Sequence, residues 1–267
     1  MKSVQELMTM RGRVCLITGG AGHIGRAMAE ALAELGADLV LVDLDSARTA
    51  TVAAELAALH EVRVETITCD LEQEAEVIRV AAQVTERLGR LDVLVNNAAF
   101  VGTSGLEGWV TDFDHQSPTT WRRAIEVNLT AAFVLTQACR SLLDESGNGS
   151  VINVASIYGV YGPDLSLYAG TKMNNPAAYS ASKGGLLQLT RWLSTVLAPR
   201  IRVNAISPGG VARGQPDLFV ERYVARTPLA RMATEEDFKG AIAFLASDMS
   251  RYVTGENIMV DGGWGAW

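Results

Sequence analysis

A chain of 267 residues that is 48% hydrophobic and 20% charged, with 25 glycines, suits one large globular core with many tight turns, and excludes a disordered chain. A formal net charge of −7 without any Lys/Arg cluster argues against nucleic acid as a partner. No apolar run is long enough to span a bilayer, the first one is strand-sized rather than a secretory core, and no low-complexity linker divides the chain, so a single cytoplasmic domain over residues 1–267 is expected.

Residues 13–18 read as a strand buried on both faces, and the glycine-rich 19–25 leads into a helix with Met28, Ala31, Leu32 and Leu35 at helical spacing, closed by Gly36. Residues 38–43 read as a second strand, so the chain opens with a βαβ unit. A helix over 46–59 leads to strand 62–68, a helix over 72–88 to strand 91–95, and a helix over 119–143 to strand 150–154. Beyond Pro176 a long helix runs to about residue 197 and strand 202–206 follows; a last helix over 235–246 precedes a short strand at 257–260. Strands alternating with helices, and too apolar to keep a wet face, predict an α/β fold with a doubly wound parallel sheet flanked by helices on both faces. Cys15, Cys69 and Cys139 are odd in number, sit in apolar segments and lack ligand spacing; they read as reduced core residues, and no metal site is expected.

In such a sheet a ligand sits at the carboxyl ends of the strands. The candidates all fall there: the glycine loop after strand one, Asp43, Asp70, Asn96-Asn97-Ala98-Ala99, Ser156 and Pro208-Gly209. Gly19, Gly22 and Gly25 let the backbone turn tightly and approach a pyrophosphate resting on the next helix N-terminus. Asp43 can bond adenosine ribose hydroxyls and repel a 2′-phosphate, and no Arg or Lys occurs over 44–47, so NAD is favoured over NADP. Asp70 and Asn96 read either as adenine-side and loop-stabilising groups or as caps, and His23 as a helix-start side chain without a catalytic role.

Tyr179 and Lys183 are four apart and would share one helix face, where an ammonium favours an ionised phenol. At an effective dielectric of about 20, a cation about 4 Å away is worth on the order of 4 kcal/mol before desolvation opposes it. Tyr168 and Lys172 have the same spacing, so one pair is a decoy. Pro176 disfavours a helix through the first pair, whereas the second lies inside a long amphipathic helix; Tyr179 is therefore chosen.

The ordered segments Thr18-Gly-Gly-Ala-Gly-His-Ile-Gly25, Asp70-Leu71, Asn96-Asn-Ala-Ala99, Asn128-Leu-Thr, Asn153-Val-Ala-Ser156, Tyr179-Ser-Ala-Ser-Lys183, Arg202-Val-Asn-Ala-Ile-Ser-Pro-Gly209 and Val260-Asp-Gly-Gly263 resemble the short-chain dehydrogenase/reductase family over nearly the whole chain. The resemblance implies a Rossmann-type fold, a nicotinamide cofactor and a catalytic set at Asn128, Ser156, Tyr179 and Lys183, with Asn128 holding a helix-bound water in the proton path. It implies cofactor contacts at Gly19, Gly22, His23, Ile24, Gly25, Asp43, Leu44, Asp70, Leu71, Asn97, Ala98, Ala99, Tyr179, Lys183, Pro208, Gly209 and Val211. Four departures stand out: His23 and Ala99 replace usual glycines, Gly210-Val-Ala-Arg213 lacks the usual threonine, and Ser156 and Tyr179 lie 23 apart (179 − 156), about twice the family's usual gap. The last reads as an insertion at about 162–175 over the active site. Ser156-Ile-Tyr-Gly159, this insertion and residues 209–215 are similar to a subgroup associated with bacterial surface sugars, including flagellin glycans and nonulosonic acids; Asp112, His115, Tyr158, Tyr161 and Arg213 are the candidate sugar contacts.

The expected function is NAD-dependent interconversion of a secondary alcohol and a ketone on a small molecule, sugar-derived on the subgroup likeness. NADPH-dependent reduction of a small or lipid-like ketone is the alternative among enzymes, and a non-catalytic dinucleotide-binding regulator or scaffold is the alternative of another class. The C-terminal Trp264 and Trp267 read as exposed tryptophans that pack at an interface or over a pocket, and the family resemblance implies a homotetramer or homodimer.

Overall fold

A computed structural model of the chain describes residues 1–101 and 104–267. Seven parallel strands, β1 (Val14–Thr18), β2 (Asp38–Asp43), β3 (Val64–Thr68), β4 (Val93–Asn96), β5 (Gly149–Val154), β6 (Ile201–Pro208) and β7 (Asn257–Val260), form one sheet in the order β3-β2-β1-β4-β5-β6-β7. Ile17 is in register with Leu41 on one side and Val95 on the other, so the strand order reverses at β1. At such a point loops diverge and leave a crevice at the carboxyl ends of the strands.

Alternate side chains of each strand enter opposite layers. Cys15, Ile17, Leu39, Leu41, Ile152 and Ile206 face Met28 and Leu32 of α2 (His23–Glu34), Val52 and Leu56 of α3 (Ser46–His60), and Ile242 and Leu245 of α9 (Lys239–Ala246). Leu16, Val40, Leu94, Val151 and Val203 face α4 (Glu74–Leu88), α6 (Ala131–Glu145) and α7 (Ala177–Val196) through Val84, Leu135, Leu143 and Leu193. This is the expected single-domain, doubly wound α/β fold. Among the described residues no helix is long and apolar enough to cross a membrane.

The structure departs from the sequence reading in three places. A short first helix, α1 (Val4–Met8), is held by a Ser3/Glu6 capping box. The helix expected over 119–143 is divided into α5 (Pro118–Ile125), a π-helical turn Glu126–Thr130, and α6, because one extra residue is accommodated at Asn128. α8 (Asp217–Ala225) stands where no helix was expected; it buries only Phe219 and Tyr223, which is too sparse a periodic signal.

Glycine is required sterically at one site-forming position above all. A Cβ on Gly25 would lie 2.1 Å from the Gly19 carbonyl oxygen and 2.6 Å from Asn97 Nδ2, whereas one on Gly240, exposed in α9, would meet nothing within 4 Å. Gly25→Ala is therefore expected to destabilise the protein by about 1–3 kcal/mol, and Gly240→Ala to stabilise it by about 0.5–1 kcal/mol, both measured by urea denaturation.

Candidate active site

The turn from β1 into α2 is built around Thr18. Its Oγ1 accepts from the backbone N–H of Asn97 (3.0 Å) and of Ala98 (3.1 Å), and Asn97 Nδ2 donates to the carbonyls of Thr18 (2.9 Å) and Gly19 (3.2 Å). The loop after β4 thereby clamps the glycine loop, with Gly19 at φ +63° and Gly22 donating to the Gly19 carbonyl (3.0 Å). Gly22 is the N-cap of α2 and offers no side-chain cap, so the first-turn N–H groups of His23, Ile24 and Gly25 are available to an anion. Asp43 closes β2 beside this turn; its carboxylate accepts from the N–H of Ala21 (3.3 Å) and Leu44 (2.8 Å), and the Leu44 side chain is 68% exposed. A glycine cradle, an uncapped helix start and an adjacent carboxylate fit the ribose and diphosphate of a dinucleotide.

The remaining cofactor candidates divide by what their side chains do. Ile24 and Val211 pack into the hydrophobic layer. Asp70 Oδ1 accepts from Glu72 N (3.0 Å), a local turn ahead of the α4 N-cap at Gln73, while Leu71, Ala98 and Asn128 line one small void. Ala99 lies half-buried in the same loop, beside Phe100. Pro208 ends β6, and a Cβ on Gly209 would sit 2.9 Å from both Asp261 Cα and the Tyr223 hydroxyl. His23 Nδ1 and Arg213 Nε both approach Glu235 Oε1 (3.6 and 3.5 Å), which links the helix start to the loop after β6.

Tyr179 and Lys183 lie in the first turns of α7, with Ser156 capping the short 3-10 turn Ile157–Gly159 that packs on them. A Cβ on Gly159 would be 2.8 Å from the Lys183 carbonyl, so the two backbones touch only because this residue is glycine. As the shared helix face predicts, Lys183 Nζ lies over the Tyr179 ring, 5.9 Å from its centroid, and it also donates to the Val154 carbonyl at 2.7 Å. A buried cation with no carboxylate nearby takes the carbonyl at the end of β5 instead. Asn128 is also fully engaged: Oδ1 accepts from Phe100 N (2.7 Å), and Nδ2 donates to Phe100 O (3.3 Å) and Ser182 Oγ (3.1 Å), while Ser182 donates to the Tyr179 carbonyl (2.8 Å). The π turn brings this amide to the base of α7.

Burial raises the Tyr179 phenol above its ordinary value, opposed by the Ser156 hydroxyl and the Arg213 guanidinium. Burial drives Lys183 down to about 7. Ionising the phenol beside a protonated Lys183 would favour both charged forms, so the two titrate as a pair.

Tyr168 and Lys172 do not share a helix. Tyr168 follows the 3-10 turn Leu165–Leu167, its ring packs on Phe219 (5.3 Å), and its hydroxyl lies 2.7 Å from that of Tyr158, while Lys172 is exposed. Arg222 of α8 donates to the carbonyls of Ser166 (3.1 Å) and Ala169 (2.5 Å), and Arg226 pairs with Asp164 and stacks on Trp264 (4.7 Å). Of the two tryptophans read as packing at an interface or over a pocket, Trp264 is 3% exposed and packs against Tyr158, Tyr161 and Tyr223, whereas Trp267 is 75% exposed. Of the candidate sugar contacts, Asp112 and His115 lie out on the surface and Tyr161 donates to Gly265 O (3.1 Å). Sequence reasoning missed Ser182, Glu235 and Tyr223; Ser182, three residues after Tyr179, was legible from helical spacing, and the other two were not.

A family model described as enoyl-(acyl carrier protein) reductase matches residues 19–265. The chain is 33% identical over 263 residues to 3-oxoacyl-(acyl-carrier-protein) reductase FabG of Thermotoga maritima, covering 96% of this chain and 99% of that one. It is 32% identical over 267 residues to sorbose reductase of Schizosaccharomyces pombe, covering 97% and 98%. The crystal structure of a short-chain type dehydrogenase/reductase from Mycobacterium marinum is similar at a TM-score of 0.86 and 30% identity, covering 98% of this chain and 99% of that one. Likeness of this extent, running through the sheet order and the glycine crevice alike, places the chain in the short-chain dehydrogenase/reductase family, as an NAD(P)-dependent oxidoreductase acting on CH–OH groups.

Proposed function

We propose that the chain interconverts a secondary alcohol and a ketone, with Tyr179 as general acid/base and NAD as the favoured cofactor. The observation that carries this reading is the packing of the Ser156 turn directly on the Lys183 turn of α7, which brings Ser156, Tyr179 and Lys183 to one end of β5. NAD, when bound, supplies the hydride acceptor or donor.

Ser156 Oγ accepts from Tyr158 N–H (3.2 Å), which leaves its own proton to donate to the substrate oxygen. Tyr179 Oη takes the hydroxyl proton during oxidation and returns it during reduction. Lys183, once protonated, stabilises the phenolate across the 5.9 Å to the ring, with Val154 O holding the ammonium in place. Asn128 serves as a positioning residue, tying the loop after β4 to the Tyr179 turn through Ser182. Asp43 supports NAD over NADP, because a 2′-phosphate would meet its carboxylate. A sugar-like substrate is supported by likeness to a protein named sorbose reductase. A homodimer or homotetramer is supported by exposed Phe133, Trp192 and Val196 on α6 and α7, helices of the same layer.

Tyr179→Phe is expected to lower kcat by about 10²–10⁴-fold with an unchanged fold, read by steady-state kinetics and circular dichroism; substantial retained turnover would reject the assignment. Asp43→Ala should lower the preference for NAD over NADP, as the ratio of kcat/KM, by about tenfold or more, since removing a like-charge contact is worth a few kcal/mol. Lys183 also has a stability signature. Its folded value of about 7 lies below its ordinary 10.5, so the burial cost is fully present below pH 7 and fades towards pH 10.5. Lys183→Met is therefore expected to stabilise the protein by a few kcal/mol at pH 6, and by much less at pH 10, in urea titrations at the two pH values.

A further inference from the structure

Arg213 is an arginine that its carboxylate partner leaves unsatisfied. Its Nε lies 3.5 Å from Glu235 Oε1, and among the described residues neither side chain makes a hydrogen bond. By contrast, Arg231 holds Asp237 through bonds of 2.6 and 2.7 Å, and Arg123 holds Glu72 through two of 2.7 Å. Both of those arginines are more exposed than Arg213, at 52% and 43% against 27%. The backbone beneath the loose guanidinium is nevertheless fixed. Arg213 N donates to Gln215 Oε1 (2.7 Å), Gln215 Nε2 donates to Val211 O (2.7 Å), and Ala212 N donates to Ala233 O (2.9 Å).

The cation sits beside the diphosphate seat. His23 is the first residue of α2, and its Nδ1 approaches the same Glu235 oxygen at 3.6 Å, so Arg213 and the helix start share one carboxylate. Burial and then the Arg213 charge hold the His23 imidazole below its ordinary value. At Tyr179 the same charge, after the Ser156 hydroxyl, opposes the rise that burial causes. A guanidinium felt at both places lies between the helix start and the reacting end of the crevice, the span that a dinucleotide crosses. We propose that Arg213 binds the diphosphate of the cofactor, and that Glu235 is a resident anion which holds the guanidinium over the crevice until the diphosphate takes it. The inference rests on the proposed cofactor reading and deepens it. Arg213 is a cofactor-binding residue, whereas Glu235 is a positioning residue acting through it. A planar guanidinium fork suits two phosphate oxygens at once, and a half-exposed pair without a hydrogen bond opens readily. His23 replaces a usual glycine of the family and residues 210–213 lack its usual threonine, so two departures of this chain meet at one carboxylate.

The test is equilibrium binding, read by NADH fluorescence and, for ADP-ribose and adenosine, by calorimetry. Arg213→Gln is expected to weaken NADH and ADP-ribose by about tenfold or more, and to leave adenosine, which carries no phosphate, within about twofold. Arg213→Lys, which keeps the charge without the fork, should lose less. Glu235→Gln is expected to tighten NADH and ADP-ribose by about twofold to fivefold, and to have no such effect in an Arg213→Gln background. Unchanged NADH affinity in Arg213→Gln would overturn the proposal, as would equal weakening of adenosine and ADP-ribose, which marks a packing role. Weaker NADH binding in Glu235→Gln would overturn it too. Unchanged NADH binding with a raised KM for carboxylate-bearing substrates alone would transfer Arg213 to the substrate and equally overturn it. The two readings fail separately. A wild type that prefers NADPH rejects the NAD reading alone, and the same variants then judge Arg213 with NADPH, which carries the same diphosphate; retained turnover in Tyr179→Phe rejects the acid/base assignment and leaves these affinities untouched.

Discussion

A single hydrogen bond, from the buried ammonium of Lys183 to the carbonyl of Val154, sets the geometry on which the site depends. An ammonium 2% exposed needs an acceptor, and the last residue of β5 presents one where the strand ends and ladder pairing stops. The bond pins α7 to the end of β5. Tyr179, one helical turn earlier, is then held over the Ser156 turn, and Ser182 reaches back to Asn128. The cation is thus a structural anchor and an electrostatic partner at once, and its depressed pKa records the tension between those roles.

A second polar line stiffens the same region from below. Asn96 donates to Thr136 of α6 (3.3 Å) and to its register partner Asn153 (2.9 Å), and Asn153 donates to Thr190 of α7 (2.9 Å). The line crosses α6, β4, β5 and α7 inside the hydrophobic layer. Buried polar networks of this kind specify one packing arrangement, since any slip of a helix leaves an amide unpaired. One atom of the line, Asn96 Oδ1, has no partner among the described residues, and Asn96 borders the small void lined by Thr18, Ala98 and Asn128. Asn96 was open between a cap and a loop-stabilising group in the sequence; the structure makes it neither, but a cross-sheet bond.

The inner strands were legible because β1, β4 and β5 are short, largely apolar runs buried on both faces, while the edge strands β3 and β7 are only partly buried, and the parallel sheet followed from their alternation with helices. That Tyr179 and Lys183 share a helix while Tyr168 and Lys172 do not was legible too, through the break in helix that Pro176 imposes. Less was legible wherever function rests on sparse contacts. The π turn at Asn128 adds one residue without changing the apolar pattern, and α8 shows only two buried side chains. Trp264 lies beyond the last strand in a run of glycines, with no periodicity to reveal that three tyrosines and Arg226 enclose it. The bond from Lys183 to the Val154 carbonyl was not legible, because spacing along a helix says nothing about a strand-end carbonyl that takes the ammonium.

The two arginines of α8 carry a consequence for modularity. Arg222 grips the carbonyls of Ser166 and Ala169, Arg226 pairs with Asp164, and Trp264 stacks under Arg226, so three stretches far apart in the chain share one scaffold. The wall of the cleft is a keyed assembly and not a detachable loop. Transplanting residues 160–176 alone onto a related protein would move Tyr168 without the groups that hold it, whereas moving the segment together with α8 and the C-terminal turn would keep these contacts intact.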